Sequence, residues 1–268
     1  MNILITGKHG YIAGHLKSAL SAEGCQCDAI SLRTGLPGLS GYDTVIHCAA
    51  LVHTKGNDQK SFFDVNAGLT AALAAESKKQ GARRFIFMST MAVYGVSGSL
   101  RGPAVIGRQT PENPVTPYGK SKLKAENILR GMADERFHIY ILRLPMVYGE
   151  GAPGNYARLC RLVELTPVFP KVDNERSMIS IVNLQNYMLS LLKDVERRET
   201  GGAEYTHILW PQDPKPVCTA DLAKSIAASQ GKKLILSPFL GRLVMLFPIE
   251  PVYKMFGNLT YTGEHYGL

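Results

Sequence analysis

Charge is scarce in this sequence, and so are aromatic rings: 19% of its 268 residues are charged and 8% aromatic, with a single tryptophan. It has no long Lys/Arg run, no zinc-finger spacing and no aromatic-rich RNA-binding motif, so nucleic acid is not an expected partner. No apolar run reaches the length needed to span a bilayer. Strand-like residues begin at Asn2, which leaves no room for a cleaved leader. Cys25, Cys27, Cys48, Cys160 and Cys218 include no Cys-x-x-Cys pair, so neither a metal site nor a disulfide framework is expected. They read as reduced, mostly buried thiols of a cytoplasmic protein. Internal repeats, charge blocks and low-complexity segments are missing too. What remains is 45% apolar, the composition of an ordinary globular enzyme, in a chain long enough for one large domain or two small ones. The net charge of +8 is either a basic surface without specific meaning or an attraction for anionic small molecules.

The chain opens on a short apolar run, Asn2 to Thr6, suited to a buried parallel strand. It passes directly into Gly7-Lys8-His9-Gly10-Tyr11-Ile12-Ala13-Gly14, and then a helix with Ile12, Leu16, Ala19 and Leu20 on one face. Strand, glycine turn and helix form the context of a dinucleotide fingerprint. Gly7 suits the tight turn, and Gly10 lets backbone approach a pyrophosphate at the helix N-terminus. Ala13 holds the close-packing position of a third glycine. Cys25 to Ser31 reads as a second strand. An acid at its end would hold a ribose 2′-hydroxyl. Ser31, Leu32 and Arg33 stand there instead, with Asp28 too early, and an arginine without the acid suits a 2′-phosphate. That tilts the cofactor from NAD toward NADP.

A third strand from Asp43 exits through Cys48-Ala49-Ala50, small residues against which a cofactor can lie; His53 follows and reads as structural. Phe62 to Lys79 is helical, and Asn66, if buried, must find partners, bracing the central strands. Arg84 to Thr90 is a fourth strand that delivers Ser89 and Thr90 at its carboxyl end, where chemistry gathers in open parallel sheets. A Gly/Pro-rich loop without strand or helix pattern, Val96 to Val115, separates it from Thr116-Pro117-Tyr118-Gly119-Lys120-Ser121-Lys122. Thr116 is a helix cap and Pro117 a first-turn residue. Tyr118 and Lys122 then lie one turn apart on one face. Free tyrosine, with a pKa of about 10, is a poor acid/base near neutrality, and a neighbouring ammonium lowers it. Further strands are expected at His138 to Arg143, Met178 to Val182 and Ala203 to Trp210, with Thr219 capping a late helix. The apolar tail from Phe239 to Phe256 reads as substrate-domain packing, with membrane-surface association as the alternative.

Taken together, Thr6-Gly7-x-x-Gly10-Tyr11-Ile12, His47-Cys48-Ala49-Ala50, Ser89-Thr90-x-x-Val93-Tyr94-Gly95, Tyr118-Gly119-Lys120-Ser121-Lys122 and Val147-Tyr148-Gly149 resemble the extended short-chain dehydrogenase/reductases. More narrowly they resemble the NAD-dependent epimerase/dehydratase group acting on nucleotide sugars, over roughly residues 1 to 195. The resemblance implies an α/β fold, a Rossmann-type doubly wound parallel sheet with a smaller C-terminal substrate domain. The dinucleotide domain would span 1–150 plus about 177–210, and the substrate domain about 151–176 and 211–268. It implies Tyr118 as acid/base, Lys122 on the nicotinamide ribose and Thr90 on the reacting oxygen. Gly7, His9, Gly10, Tyr11, Ile12, Ser31, Leu32, Arg33, Cys48, Ala49, Ala50, Pro145 and Val147 would hold NADP or NAD. Asn155 and Arg176 would meet the sugar nucleotide, Arg176 through its phosphates. Met91 and Ala92 stand where a dehydratase carries an acid/base pair, which disfavours dehydration. Asn183 stands where many relatives have an aspartate. The expected activity is 4-epimerisation or 4-keto reduction of a nucleotide-linked hexose by a homodimer. The rival reading is a non-catalytic NADP-binding sensor on the same fold.

Overall fold

The computed structural model describes residues 1–33, 35–36, 38–52, 59–200 and 204–262, and the side chains of these except 196–200. In chain order the elements are β1 (Asn2–Thr6), α1 (Tyr11–Ala22), β2 (Gln26–Ile30), β3 (Thr44–His47), α2 (Gln59–Phe63), a π-helical turn (Asp64–Leu69) and α3 (Thr70–Lys79). There follow β4 (Arg84–Thr90), a 3-10 turn (Met91–Tyr94), β5 (Val105–Gly107), α4 (Pro117–Arg130), β6 (His138–Leu144), β7 (Met146–Tyr148), α5 (Asn155–Leu165) and β8 (Val168–Pro170). The last are β9 (Met178–Ser180), α6 (Ile181–Thr200), β10 (Thr206–Leu209), α7 (Thr219–Ser229), β11 (Ile235–Ser237), α8 (Pro238–Val244), α9 (Glu250–Phe256) and β12 (Thr260–Thr262).

Six strands form one parallel sheet in the order β10-β6-β4-β3-β1-β2. Its central strands β3 and β6 are buried along their whole length, which is why they read as continuous apolar runs rather than alternating ones. Leu16 and Leu20 of α1 pack with Leu184, Met188 and Leu191 of α6 on one face. Leu73 and Ala74 of α3 and Ala125 and Leu129 of α4 cover the other. This is the expected doubly wound α/β arrangement. The strand order reverses at the β1/β3 pair, so a crevice opens at the carboxyl ends of those two strands, the usual ligand position of such sheets. A separate apolar core gathers Leu159, Val163, Phe169, Leu222, Ile226 and Phe256 from α5, β8, α7 and α9. Among the described residues no helix is long and apolar enough to cross a membrane.

Four local expectations are corrected. The loop 96–115 holds strand β5, which pairs in parallel with β12 from the far end of the chain, a partner no local pattern announces. Thr219 does not cap α7: Cys218 is the N-cap, and the Thr219 hydroxyl donates to the Met255 carbonyl at 2.7 Å. The cysteines are free but partly exposed rather than mostly buried. The apolar tail packs only in part, through Val252 and Phe256, while Phe239, Leu246 and Phe247 stay exposed.

Candidate active site

At the end of β1 the chain turns at Gly7 with φ +86°, a left-handed value. A Cβ at this position would stand 2.9 Å from the Ala49 nitrogen. Glycine therefore lets the first turn lie directly against Cys48-Ala49 at the exit of β3. α1 begins with Gly10 as N-cap and no side-chain cap, so its first-turn amides face outward with the positive end of the helix dipole. Ala13 is fully buried, as its close-packing role requires. The Tyr11 hydroxyl is buried without a hydrogen-bond partner among the described residues. Its ring meets His15 edge-on at 4.6 Å. An uncapped helix N-terminus beside an orphaned donor fits a dinucleotide diphosphate.

Beside this turn, Lys8, His9, Ser31, Gly35 and Leu36 help line a groove of about 410 Å³ at the end of β2. His9 and Ser31 are where the sequence put them. Leu32 differs, because its side chain is buried in the core beneath. Arg33 is exposed, with its backbone N–H on the Ser31 hydroxyl at 3.4 Å. Lys8 was not singled out, although a cation inside a glycine turn is a legible sign. Asp28 lies within β2 and accepts a hydrogen bond from Tyr42 at 2.9 Å, so no acid is offered at the strand end. His53 lies outside the described residues.

The second half of the site comes from α4. Thr116 caps it, accepting from the Gly119 N–H at 3.1 Å, with Pro117 in the first turn as expected. A Cβ on Gly119 would lie 2.7 Å from the Ala92 carbonyl oxygen. That close approach clamps the start of α4 onto the turn that follows Thr90, which brings residues 90 and 118 to one joint. The Lys122 ammonium reaches β4 inside the sheet, donating to the Met88 carbonyl at 2.6 Å and lying 4.2 Å over the Phe87 ring. Thr90 accepts from the Ala92 N–H at 3.2 Å and pairs with Leu144 in the register of β4 and β6. Pro145 and Val147 continue from that strand end, Pro145 buried and Val147 paired with Ile179.

A polar relay ties the two halves together. Thr6 is hydrogen-bonded to His47 at 2.6 Å, and His47 to Thr70 at 2.9 Å. In the π-helical turn, Asn66 accepts from the Leu51 N–H at 2.8 Å and donates to the Ser121 hydroxyl at 3.0 Å. Ser121 in turn donates to the Tyr118 carbonyl at 2.8 Å. Asn66 thus braces the loop after β3 and the α4 helix, rather than the strands themselves. Burial, with the Lys122 charge adding to it, pushes the His47 pKa down to about 3, so the ring is a neutral structural link.

Burial also pushes the Tyr118 phenol up to about 12. Lys122 is drawn down to about 8 by burial, which outweighs the opposing influence of Cys48 and Glu126. Helical spacing does put the phenol and the ammonium on one face, but the expected lowering of the tyrosine by the lysine is not seen, because the ammonium points at Met88. A pH effect follows. An unfolded lysine keeps its proton to about 10.4, whereas folded Lys122 releases it near 8. Between those values the unfolded chain binds more protons, so Lys122 makes stability rise with pH across that window, by up to ~1.4 kcal/mol per unit. Thermal unfolding of Lys122→Met between pH 8 and 10 is expected to show this rise removed; an unchanged slope would place the proton loss elsewhere.

Next to Met146, just past the end of β6, a cavity of about 300 Å³ is lined by Asn155, Arg158, Thr219, Glu250 and Lys254, among others. Asn155, expected at the sugar nucleotide, thus lines this cavity. Arg176 is not among the lining residues: its guanidinium donates to the Tyr253 carbonyl at 3.2 Å and the Gly257 carbonyl at 2.5 Å, holding down the end of α9. Arg158, one turn after Asn155 on α5, also lines it and was not singled out from the sequence. The aspartate missing at Asn183 is made good from elsewhere, since Asp213 accepts from Asn183 at 2.7 Å and from Tyr148 at 2.7 Å.

Comparison with known proteins agrees with this layout. A UDP-glucose 4-epimerase of Vibrio cholerae is 28% identical over 96% of this chain and 82% of its own length. The N-acetyl-alpha-D-glucosaminyl-diphospho-ditrans,octacis-undecaprenol 4-epimerase of Escherichia coli O157:H7 is 31% identical over 59% of this chain and 47% of its own. The solved UDP-glucuronic acid 4-epimerase of Bacillus cereus in complex with NAD shares the fold, with a TM-score of 0.71 at 18% identity over 97% of this chain and 87% of that one. The model of the NAD dependent epimerase/dehydratase family matches residues 3–166, and with the glycine turn, Thr90, Tyr118 and Lys122 all inside that span, the chain belongs to this family.

Proposed function

We propose that this protein is an NAD(P)-dependent 4-epimerase or 4-keto reductase of a nucleotide-linked hexose, a UDP-hexose or UDP-N-acetylhexosamine, used in making surface polysaccharide. The observation that supports the reading is the joint between α4 and the end of β4, where Gly119 packs on Ala92 just after Thr90 and Lys122, one turn beyond Tyr118, donates to the Met88 carbonyl of the same strand. Tyr118 takes the proton of the sugar 4-hydroxyl or returns it, and Thr90 hydrogen-bonds the same oxygen. Lys122 steadies the ribose next to the reacting ring. Bound in the crevice, the dinucleotide supplies the hydride acceptor and donor that no side chain provides. The first-turn amides of α1, with Gly10, Tyr11 and Ile12, hold its diphosphate; Ser31, Arg33 and Lys8 surround its adenosine ribose. Lys8 and Arg33 suit a 2′-phosphate, so NADP is favoured over NAD.

The substrate diphosphate belongs in the cavity beside Met146, with Asn155 and Arg158 on α5 and Lys254 on α9 as its donors. Arg176 then acts through α9 rather than by touching phosphate. Residues 1–150 and about 177–210 serve as the dinucleotide domain, and about 151–176 and 211–268 as the substrate domain, in a cytoplasmic homodimer. Named relatives support the sugar chemistry: one is a UDP-glucose 4-epimerase, another works on a diphosphate-linked N-acetylglucosamine.

Incubation of the protein with UDP-sugars and C4-labelled NADPH or NADH tests the reading. Label in the product identifies a reductase. An inverted C4 without label identifies an epimerase. Dinucleotide binding without turnover of any sugar would leave the non-catalytic sensor instead, and a 4-keto-6-deoxy product would restore dehydration.

A further inference from the structure

Exposed large apolar side chains are scattered singly over most of this protein, as is normal. One region differs. Of the fifteen such residues among those described, six fall between Ile235 and Ile249: Ile235, Phe239, Leu243, Leu246, Phe247 and Ile249. Phe239, Leu246 and Phe247 are 73%, 73% and 54% exposed. The segment is firmly built rather than loose. Val244 and Met245 pack against the core of α5, α7 and α9, and Val252 and Phe256 are buried in it. Gly241 lies directly on the Lys171 backbone, and the Lys171 N–H donates to the Ser237 carbonyl at 3.0 Å. The exposed rings and leucines are therefore held outward by neighbours that point in.

Charge within the segment itself has one sign, with Glu164 beside it, whose carbonyl accepts from Lys232 at 2.8 Å. From Lys232 to Ile249 the chain has no aspartate or glutamate, and it carries Lys232, Lys233 and Arg242, with exposed Lys171 packed alongside. The first acid beyond, Glu250, is paired to Lys254 at 2.5 Å. Firmly held apolar side chains flanked by cations complement one kind of surface: anionic headgroups over acyl chains. A second copy of the chain fits less well, because a two-fold contact would set Arg242 and the lysines against their own like charges.

We infer that the face formed by β11, α8 and the segment to Ile249 docks on an anionic membrane surface. The docked edge adjoins the cavity next to Met146, since Glu250, Pro251, Lys254 and Met255 immediately after Ile249 line that cavity. That cavity then lies beside the membrane plane. The inference stands on this face alone and is independent of which sugar is turned over.

Sedimentation of the full chain with vesicles tests it. Phosphatidylcholine vesicles containing phosphatidylglycerol are expected to carry the protein down, and pure phosphatidylcholine vesicles far less. Raising salt weakens the attraction, because cations near the surface contribute roughly fivefold each. Leu246→Ser with Phe247→Ser removes apolar groups only and should lower partitioning about tenfold or more, with unfolding temperature and dinucleotide affinity unchanged. Lys233→Glu with Arg242→Glu should abolish the preference for anionic vesicles. Two results overturn the inference: a parent protein that stays in solution with both vesicles, or a parent dimer that the serine variant splits, which would assign the face to a second copy.

Discussion

Tyr118→Phe is expected to cut turnover by about 10²–10⁴-fold while leaving dinucleotide affinity close to that of the parent. The change removes one oxygen from a ring that is otherwise kept in place by its contact with Phe62, at 6.5 Å between centroids, and by the clamp of Gly119 on Ala92. Folding should therefore be preserved, and the loss reads out proton transfer rather than shape. Burial holds the phenol near about 12, so at neutral pH it carries its proton and is ready to act as an acid toward a sugar oxygen. Loss of kcat with unaltered dinucleotide titration supports the acid/base role. A phenylalanine variant as fast as the parent would move that role to another group, with the Thr90 hydroxyl the first to test.

The second large effect concerns stability. Arg143 on β6 is 2% exposed and lies between two carboxylates. It donates to Glu126, which is fully buried on α4, with Nη2 at 2.6 Å, to Tyr94 at 2.5 Å, and to Glu112 in the preceding loop. Glu126 also accepts from the Ser89 hydroxyl and from Arg130 at 3.2 Å. Burial alone would raise the Glu112 carboxyl, but hydrogen bonds from Arg130 and Arg143 hold it below the usual range. Arg143→Met leaves the Glu126 charge buried without its bidentate partner, with Arg130 hydrogen-bonded to it and the Lys122 charge nearby, at a cost of about 3–5 kcal/mol. For a chain of this size that lowers the unfolding temperature by roughly 10 °C. Adding Glu126→Leu removes the stranded charge and should recover much of the loss, since buried pairs contribute little net stability over apolar replacements. Thermal or urea unfolding of the parent, the two single variants and the double variant decides it. A double variant as weak as the sum of the singles would mean the pair is not coupled.

That network also marks how far the sequence could be read. β1, the glycine turn, α1, and the cap and first turn of α4 were legible because each is a local pattern: a short apolar run, a turn that needs glycine, a threonine three residues before the amide that donates to it. The proposed trio of Tyr118, Lys122 and Thr90 could be picked out because helical spacing and strand ends are local as well. Glu126 and Arg143 were not, because nothing in their spacing says that two charged residues on a helix and a strand will be buried against each other. The same holds for β5 with β12, which are joined only by the fold. Arg176 illustrates the opposite failure. An arginine before a strand suggested phosphate, yet the carbonyls at the end of α9 claim its guanidinium, and Arg158 faces the cavity instead.

The π-helical turn at Asp64–Leu69 makes the site sensitive to counting. Such a turn takes in one residue more than the regular coil on either side of it. Were a single residue deleted there, say Gly68, the coil could close normally and the leucines and alanines of α3 could find their old places. The Asn66 amide would then swing by about 100° and let go of Leu51 and Ser121 together. Chain length at this one bend, rather than the identity of any neighbour, keeps the lip of the crevice fastened to the helix that bears the phenol.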